Sequence, residues 1–394
     1  MDFHAGLCYR YAMRYDVLVV GAGQAGSYAA YLLARRGAAV ALLDKAAFPR
    51  DKPCGGAVSR KALDLVELDL SPVVHRRAAG AWLTFADRAV YRDAESTAAA
   101  MTVRAELDAF LVERAVLAGA RFHPGAAFLD VDAADDGVVI TTSRGEFRGR
   151  YLFAADGVAS AVRARIFGRN AVGYAPAVEA LVYAPPDALE RFADRVLLEI
   201  DGMPHGYGWI FGKRDHLNAG VFSPFGAGGI RAYLAAFLAR HPVLGRHARV
   251  RYIGHPIPVR AAERFERGRV WLLGDAAGLA EAVLGEGIYF ALQSAELAAR
   301  TFFTPGGAID GEYTRLLRAE VLPELAAAWR LARLCYAHPA FVFERIARSP
   351  YASRLFLGLV TGDVGYRECF AKAIATMPRW LAGARSPVAA AAAI

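Results

Sequence analysis

Three glycines in a six-residue turn constrain this chain more than any other feature. Asp16–Val20 reads as a strand. Gly21-Ala22-Gly23-Gln24-Ala25-Gly26 follows, and a helix runs from about Gln24 to Arg36, stopped by Gly37. A second strand, Ala39–Asp44, completes the unit. Each glycine has its own task in such a unit: Gly21 permits the tight turn, Gly23 lets a pyrophosphate approach the backbone, and Gly26 lets the helix pack on the strand. The helix N-terminus faces the phosphates. Asp44 ends the second strand 18 positions beyond Gly26, where a carboxylate can accept ribose hydroxyls. The unit predicts an α/β lobe that binds a dinucleotide, NAD or FAD. Val17–Ala34 is also an uncharged run of 18 residues, the length of a membrane span, but its glycines, Gln24 and Ser27 break it.

A chain of 394 residues with 55% hydrophobic and 22% charged residues can bury a large core, and its length points to two or three lobes. The formal charge is +8, carried mostly by arginine. No compact basic module or nucleic-acid motif accompanies it, so no nucleic-acid partner is expected. The four cysteines form no CxxC and the nine histidines no HxxxH, so no metal site or disulfide framework is expected and a reducing cytosol fits. No signal peptide is visible. Residues 1–13 read as a flexible extension, and Met13 suits a translation start as well as Met1.

Further along, Thr102–Gly119 reads as a helix with Leu107, Phe110, Leu111 and Ala115 on one face. Val138–Thr142 and Glu146–Leu152 read as a hairpin, and Tyr151–Ala155 as a buried strand ending in Asp156-Gly157. Residues 170–260 alternate short strands with Gly/Pro turns, the pattern of a mostly antiparallel second lobe. Arg269–Leu273 is again a buried strand, Gly274-Asp275 follows it, and a helix starts near Gly287. From about 310 the chain reads helical, with a frayed tail at Val388–Ile394.

Two segments choose between NAD and FAD. One is Ala154–Arg163, AADGVASAVR. The other is Arg269–Leu292, RVWLLGDAAGLAEAVLGEGIYFAL, in which Asp275 can hold the ribityl hydroxyls of a flavin. The helix beyond Gly285-Glu286-Gly287 aims its positive end where a flavin N1–C2=O would be stabilised as the reduced anion.

Together these segments resemble FAD-dependent oxidoreductases of the para-hydroxybenzoate-hydroxylase-type fold. The finer likeness is to the geranylgeranyl reductase family. It rests on Lys52-Pro53-Cys54-Gly55-Gly56, a PCGG-type segment, and on Tyr207-Gly208-Trp209-Ile210-Phe211-Gly212-Lys213, a YxWxFPK-type segment. The resemblance covers about residues 14–300. Gly212 stands where the pattern has proline, and Ala282 where NPxxGEG has proline; both departures are expected to loosen a turn.

The resemblance implies a discontinuous Rossmann-like FAD-binding domain (14–75, 101–168 and 250–303) with an inserted antiparallel β-rich substrate domain (76–100 and 169–249) and a helical C-terminal segment (304–394). It implies cofactor contacts at Gly21, Gly23, Ala25, Gly26, Asp44, Arg50, Cys54, Gly55, Gly56, Arg104, Val131, Asp275, Gly285, Gly287 and Ile288. It also implies saturation of isolated C=C bonds in a geranylgeranyl chain by hydride from flavin N5 plus a proton. Positive charge would build up at the tertiary alkene carbon, where an aromatic face contributes ~1–2 kcal/mol when dry. Tyr207 and Trp209, two apart on a strand, share a face and are the candidates, unless they are ordinary core packing. Cys54 is the candidate proton donor or flavin-packing group. The electron donor is NADPH acting transiently or a ferredoxin, since no second GxGxxG is present.

Residues 325–361 mix five arginines with aromatic and leucine side chains, a composition suited either to peripheral contact with an anionic lipid surface or to a helical cover over the flavin lobe. Two rival functions remain at this level. One is an aromatic monooxygenase or halogenase of the same fold, against which the chain lacks a WxWxIP segment. The other is a flavoprotein that binds a prenyl lipid without catalysis.

Overall fold

The computed structural model describes residues 14–382 apart from 95, 135, 169, 227, 246–249 and 306–309. The expected N-terminal extension with its alternative start, and the expected frayed tail, lie outside the described residues.

Arg14–Val20 is an inner strand of an eight-stranded sheet and is parallel to both Val40–Asp44 and Gly145–Ala154. Val17, Leu18 and Val19 are fully buried on both faces, as a parallel strand covered by helices on each side requires. The helix Gln24–Ala34 packs against the helices Ile288–Phe302 and Arg104–Leu117, so three stretches far apart in sequence meet over the glycine turn. Gly145–Ala154 is one ten-residue strand. Its first half pairs antiparallel with Gly137–Thr142 and its second half parallel with the first strand, so the two pieces expected from sequence are continuous.

A second, seven-stranded sheet runs in the order Val250–Arg260, Gly173–Val182, Leu217–Phe222, Tyr207–Gly212, Arg195–Glu199, Gly80–Phe85, Arg88–Asp93. All its pairings are antiparallel except Arg195–Glu199 with Gly80–Phe85. Val250–Arg260, which the sequence boundary at 250 assigned to the first lobe, is the edge strand here; its backbone hydrogen bonds go to Gly173–Val182. Ala57–Ser59, Val74–Ala78 and Ala99–Thr102 form a small third sheet. The boundaries expected near 76 and 100 fall inside its strands, so the passage between the lobes is hydrogen-bonded rather than a free linker.

The C-terminal part is helical through Leu322–Ala337, Pro339–Arg348, Pro350–Thr361 and Tyr366–Ala382. Pro339 and Pro350 open two of these helices, where a missing N–H costs nothing. The aromatic residues of this region pack inward. Phe343 stacks on Phe85 at 5.9 Å between ring centroids, and Trp329 meets Phe225 at 4.9 Å. Arg88 pairs with Glu344, which also holds Arg348 at 2.8 Å, so these helices dock on the edge of the second sheet. Among the described residues, no helix is long and apolar enough to cross a membrane.

Candidate active site

The glycine turn is held by contacts that leave no space for a side chain at two of its three glycines. Gly21 has φ +99°, and a Cβ on it would lie 2.2 Å from the carbonyl of Ala155. A Cβ on Gly26 would lie 1.8 Å from the Gly21 carbonyl. Gly23 differs: its added Cβ would meet only guanidinium ends, Arg50 Nη2 at 3.7 Å and Arg104 Nη2 at 4.0 Å. Space flanked by two cations above a helix N-terminus is the arrangement an anionic pyrophosphate needs. Ala25 is buried in the first turn of that helix. Asp44 is buried at the end of the second strand, where its carboxylate accepts the N–H groups of Ala22 (2.7 Å) and Ala46 (2.8 Å) and so fixes the turn itself.

Both arginines share the fully buried Asp108. Arg104 makes two hydrogen bonds to it at 2.9 and 2.8 Å, and Arg50 an ion pair at 3.1 Å. Burial is the largest single influence and would lower the Arg104 value, but Asp108, together with Cys54 and Asp275, raises it and keeps the guanidinium charged. Two cations on one anion leave net positive charge over Gly23.

Asp275 follows the strand Val270–Leu272 and pairs with Lys52 at 3.1 Å. Burial is the largest single influence and opposes its ionisation, but Lys52, Arg104 and His255 together hold the carboxyl below its ordinary range. The loop 281–287 then leads into the helix Ile288–Phe302, capped at Gly287, with Gly285 at φ +71°. Three groups lock this loop. The fully buried Glu281 accepts the N–H groups of Val283 (2.5 Å), Leu284 (2.8 Å) and Glu286 (2.9 Å), Tyr207 donates to the Leu284 carbonyl at 2.7 Å, and Tyr336 donates to the Val283 carbonyl. Glu286 pairs with Lys61 at 2.6 Å and with Ser59. The expected loosening at Ala282 is therefore not what the structure has, because Glu281 supplies the rigidity. Nor does Gly212 loosen a turn: it lies in a strand, and a Cβ there would lie 2.3 Å from the Phe192 carbonyl.

A cleft of about 1520 Å³, its open mouth included, runs from Asp275 and Gly287 past Cys54-Gly55-Gly56 to the second sheet. Tyr207, Trp209 and Phe211 line it, so the two segments that carry the finer resemblance face one space. The Tyr207 and Trp209 ring centroids are 5.9 Å apart. Gly220 stands opposite Trp209, and a Cβ there would lie 2.2 Å from the indole, so a glycine is needed to seat the ring. A Cβ on Gly55 would lie 2.9 Å from the Phe211 ring, and Gly56 adopts φ +65°. The Cys54 sulfur accepts the Gly56 N–H at 3.3 Å. Burial pushes the Tyr207 phenol far above its ordinary value, so it stays neutral.

Four groups that sequence reasoning left without a role stand at or behind this cleft. Lys213 is buried with its Nζ 2.7 Å from the Gly55 carbonyl, and burial lowers its value to about 7. Glu179 is buried on the strand Gly173–Val182; it accepts the Cys54 N–H at 3.0 Å and an Asn218 N–H at 3.2 Å. Burial raises its value. His255, lowered to about 4 by burial and then by Lys52, has a buried Nε2 with no partner, and so has the side-chain nitrogen of Gln24. Gln24 sits inside the glycine motif, and its position there was the available signal. Glu179 lies 125 positions from Cys54 and offered none.

The orphaned nitrogens of Gln24 and His255, the open cradle at Gly23 and the Lys52–Asp275 pair suit a group with phosphates at one end and hydrogen-bonding atoms at the other, as FAD has. Arg50, Arg104, Asp275, Cys54, Gly55, Gly56, Gly285, Gly287 and Ile288 are brought to this region. Val131 lies on the Phe128–Ala134 strand, away from the cleft lining.

Comparison with known proteins agrees. Residues 14–179 match the FAD binding domain family. A geranylgeranyl diphosphate reductase of Rhodobacter capsulatus is 30% identical over 337 residues, 82% of this chain and 83% of that protein. A menaquinone reductase of Mycolicibacterium smegmatis is 31% identical, with 82% and 84% covered. Among solved structures, a geranylgeranyl bacteriochlorophyll reductase-like protein of Thermoplasma acidophilum superposes with TM-score 0.71 at 22% identity, over 94% of this chain and 98% of that one. A flavin-dependent brominase shares the fold at TM-score 0.70 and 18% identity, with 93% and 100% covered.

Proposed function

We propose that this chain, which belongs to the geranylgeranyl reductase family of FAD-dependent oxidoreductases, saturates isolated C=C bonds of a prenyl chain. The observation that carries this reading is the single cleft that joins the polar FAD end to an apolar end. Ala99, Met101, Val196, Leu198, Phe211 and Val360 line the far wall, a surface suited to hydrocarbon and to little else.

Bound FAD supplies the hydride, once reduced by NADPH or a ferredoxin. The chain's own residues do the rest. Arg50 and Arg104, fixed by Asp108, bind the pyrophosphate over Gly23, and Asp275 and Lys52 orient the ribityl end. The first turn of the Ile288–Phe302 helix sets its positive end beside the ring system. Cys54-Gly55-Gly56, in the cleft lining, would lie against the ring system, its two glycines adding no side chain there. Tyr207 and Trp209 present aromatic faces to the tertiary carbon, where each contributes ~1–2 kcal/mol to developing positive charge in a dry site. The apolar walls exclude water that would capture that charge.

The experiment is anaerobic. The protein is reduced with dithionite and mixed with geranylgeranyl diphosphate, or in parallel with a menaquinone, while flavin absorbance and product mass are followed. Flavin reoxidation with a gain of two hydrogens per turnover that persists after air has reoxidised any quinol is the expected result, and the substrate that responds names the headgroup class. No anaerobic reoxidation, with oxygen entering an added aromatic compound in air, would overturn the reading in favour of a monooxygenase.

A further inference from the structure

Saturating an alkene takes a proton as well as a hydride, and the cleft contains a carboxyl group placed to give one. We propose that Glu179 is the acid that protonates the alkene; this rests on the prenyl-reductase reading above. Glu179 lines the cleft beside Cys54 and Trp209, and its residue is 5% exposed. It takes part in no ion pair among the described residues: its Oε1 accepts the Cys54 backbone N–H at 3.0 Å and its Oε2 an Asn218 side-chain N–H at 3.2 Å.

The Asn218 amide has one possible orientation. The Trp209 indole nitrogen is a donor only, and it lies 2.7 Å from Asn218 Oδ1, so Nδ2 must be the atom that faces Glu179. Trp209 thus donates to Asn218 and Asn218 to Glu179, while the Cys54 backbone donates to Glu179 from the glycine loop, so the bonds converge on the carboxyl group. Two neutral donors do not offset the burial of a carboxylate, and burial raises the group above its ordinary carboxyl value, the direction a proton donor needs. Lys213 and Arg104 face it through space, Cys54 touches it through its backbone N–H, and His255 lines the same cleft. Lys213 and Arg104 stabilise the carboxylate as it forms, which is where a general acid needs help.

The step balances. The Glu179 O–H bond breaks, leaving its electron pair on the carboxylate, and the alkene π bond breaks to form a C–H bond at the less substituted carbon. The tertiary carbon receives a hydride from the reduced flavin, which is the reductant and becomes oxidised. Glu179 is left as a carboxylate and recovers its proton from solvent.

The test compares FAD-loaded wild type with Glu179→Gln, Asn218→Ala and Cys54→Ala. Glu179→Gln should bind and accept electrons into flavin as wild type does, yet reoxidise with prenyl substrate at least ~100-fold more slowly, the usual contribution of a positioned acid. Its rate should lose both the alkaline fall and the deuterium-oxide effect of wild type. Independently of turnover, the protonated-carboxyl band in the infrared difference spectrum between acid and alkaline pH should disappear. Asn218→Ala removes the same hydrogen bond but keeps the acid, so it should retain the band, the pH limb and the isotope effect. A Glu179→Gln enzyme with wild-type rate and pH profile, or a Cys54→Ala enzyme that alone loses the isotope effect, overturns the proposal. A wild type that saturates no prenyl chain overturns the reading beneath it as well.

Discussion

Replacing Lys213 by methionine should change how the protein's stability depends on pH. Lys213 is 1% exposed, and burial lowers its value from 10.5 to about 7. Between those two values the unfolded chain binds one proton that the folded chain does not. Stability therefore rises with pH across that window, by about 1.4 kcal/mol per unit. Below about 7 both states are protonated, and the buried ammonium then costs most. A methionine titrates nowhere, so the difference between wild type and variant isolates this contribution. The variant also leaves the Gly55 carbonyl without its donor, a pH-independent loss of about 1–3 kcal/mol. Urea denaturation with saturating FAD at pH 6, 7 and 9 measures the difference. Wild type should gain on the variant by about 2–3 kcal/mol between pH 7 and 9. Parallel stability curves, or a wild type that loses ground as pH rises, would refute the assignment of a depressed lysine.

Gly23→Ala should fold normally, since its Cβ meets no atom closer than 3.7 Å, but should weaken FAD binding at least ~10-fold by filling the pyrophosphate space; flavin titration of refolded protein reads this. Gly26→Ala, with its Cβ 1.8 Å from a carbonyl oxygen, should yield no soluble flavoprotein on expression. Arg104→Met strands much of the Asp108 charge in the interior and should cost about 3–5 kcal/mol in denaturant unfolding. Tyr207→Phe removes the donor to Leu284 and should cost about 1–3 kcal/mol, seen as a lower Tm and faster flavin release.

The sequence carried its local signals well and its long-range ones poorly. Arg14–Val20, the glycine turn and Gln24–Ala34 were legible because a β-branched run, three glycines at fixed spacing and a following helix are written in consecutive residues, although Ala155, which excludes a side chain at Gly21, lies far along the chain. The cysteine-glycine and aromatic segments were legible as motifs, and the structure brings them to one cleft. What joins them was not legible. Glu179, Asn218 and Lys213 act through partners between 9 and 158 positions away, and no periodicity marks them. The side of the molecule taken by Val250–Arg260 was equally hidden, because an edge strand reads the same whichever sheet accepts it. Proline-for-glycine reasoning failed at Gly212 because the neighbour that excludes a side chain there, Phe192, comes from another element.

The order of strands in the larger sheet has a consequence during synthesis. The Leu152–Ala154 end of the strand Gly145–Ala154 lies between Arg14–Val20 and Val270–Leu272, so one edge of that end, beyond the stretch paired with Gly137–Thr142, has no partner until the chain has grown by about another 116 residues. At ribosomal speeds of about 5–20 residues per second, that interval lasts roughly 6–23 s. During it a strand of buried residues, Leu152, Phe153 and Ala154, presents open backbone groups to any other nascent chain. FAD cannot shorten the wait, since Asp275 and the Ile288–Phe302 helix emerge after the strand that closes the edge. A polysome translating this message therefore holds many copies of the same unprotected edge, and chaperone supply, more than cofactor supply, should set the yield of folded protein.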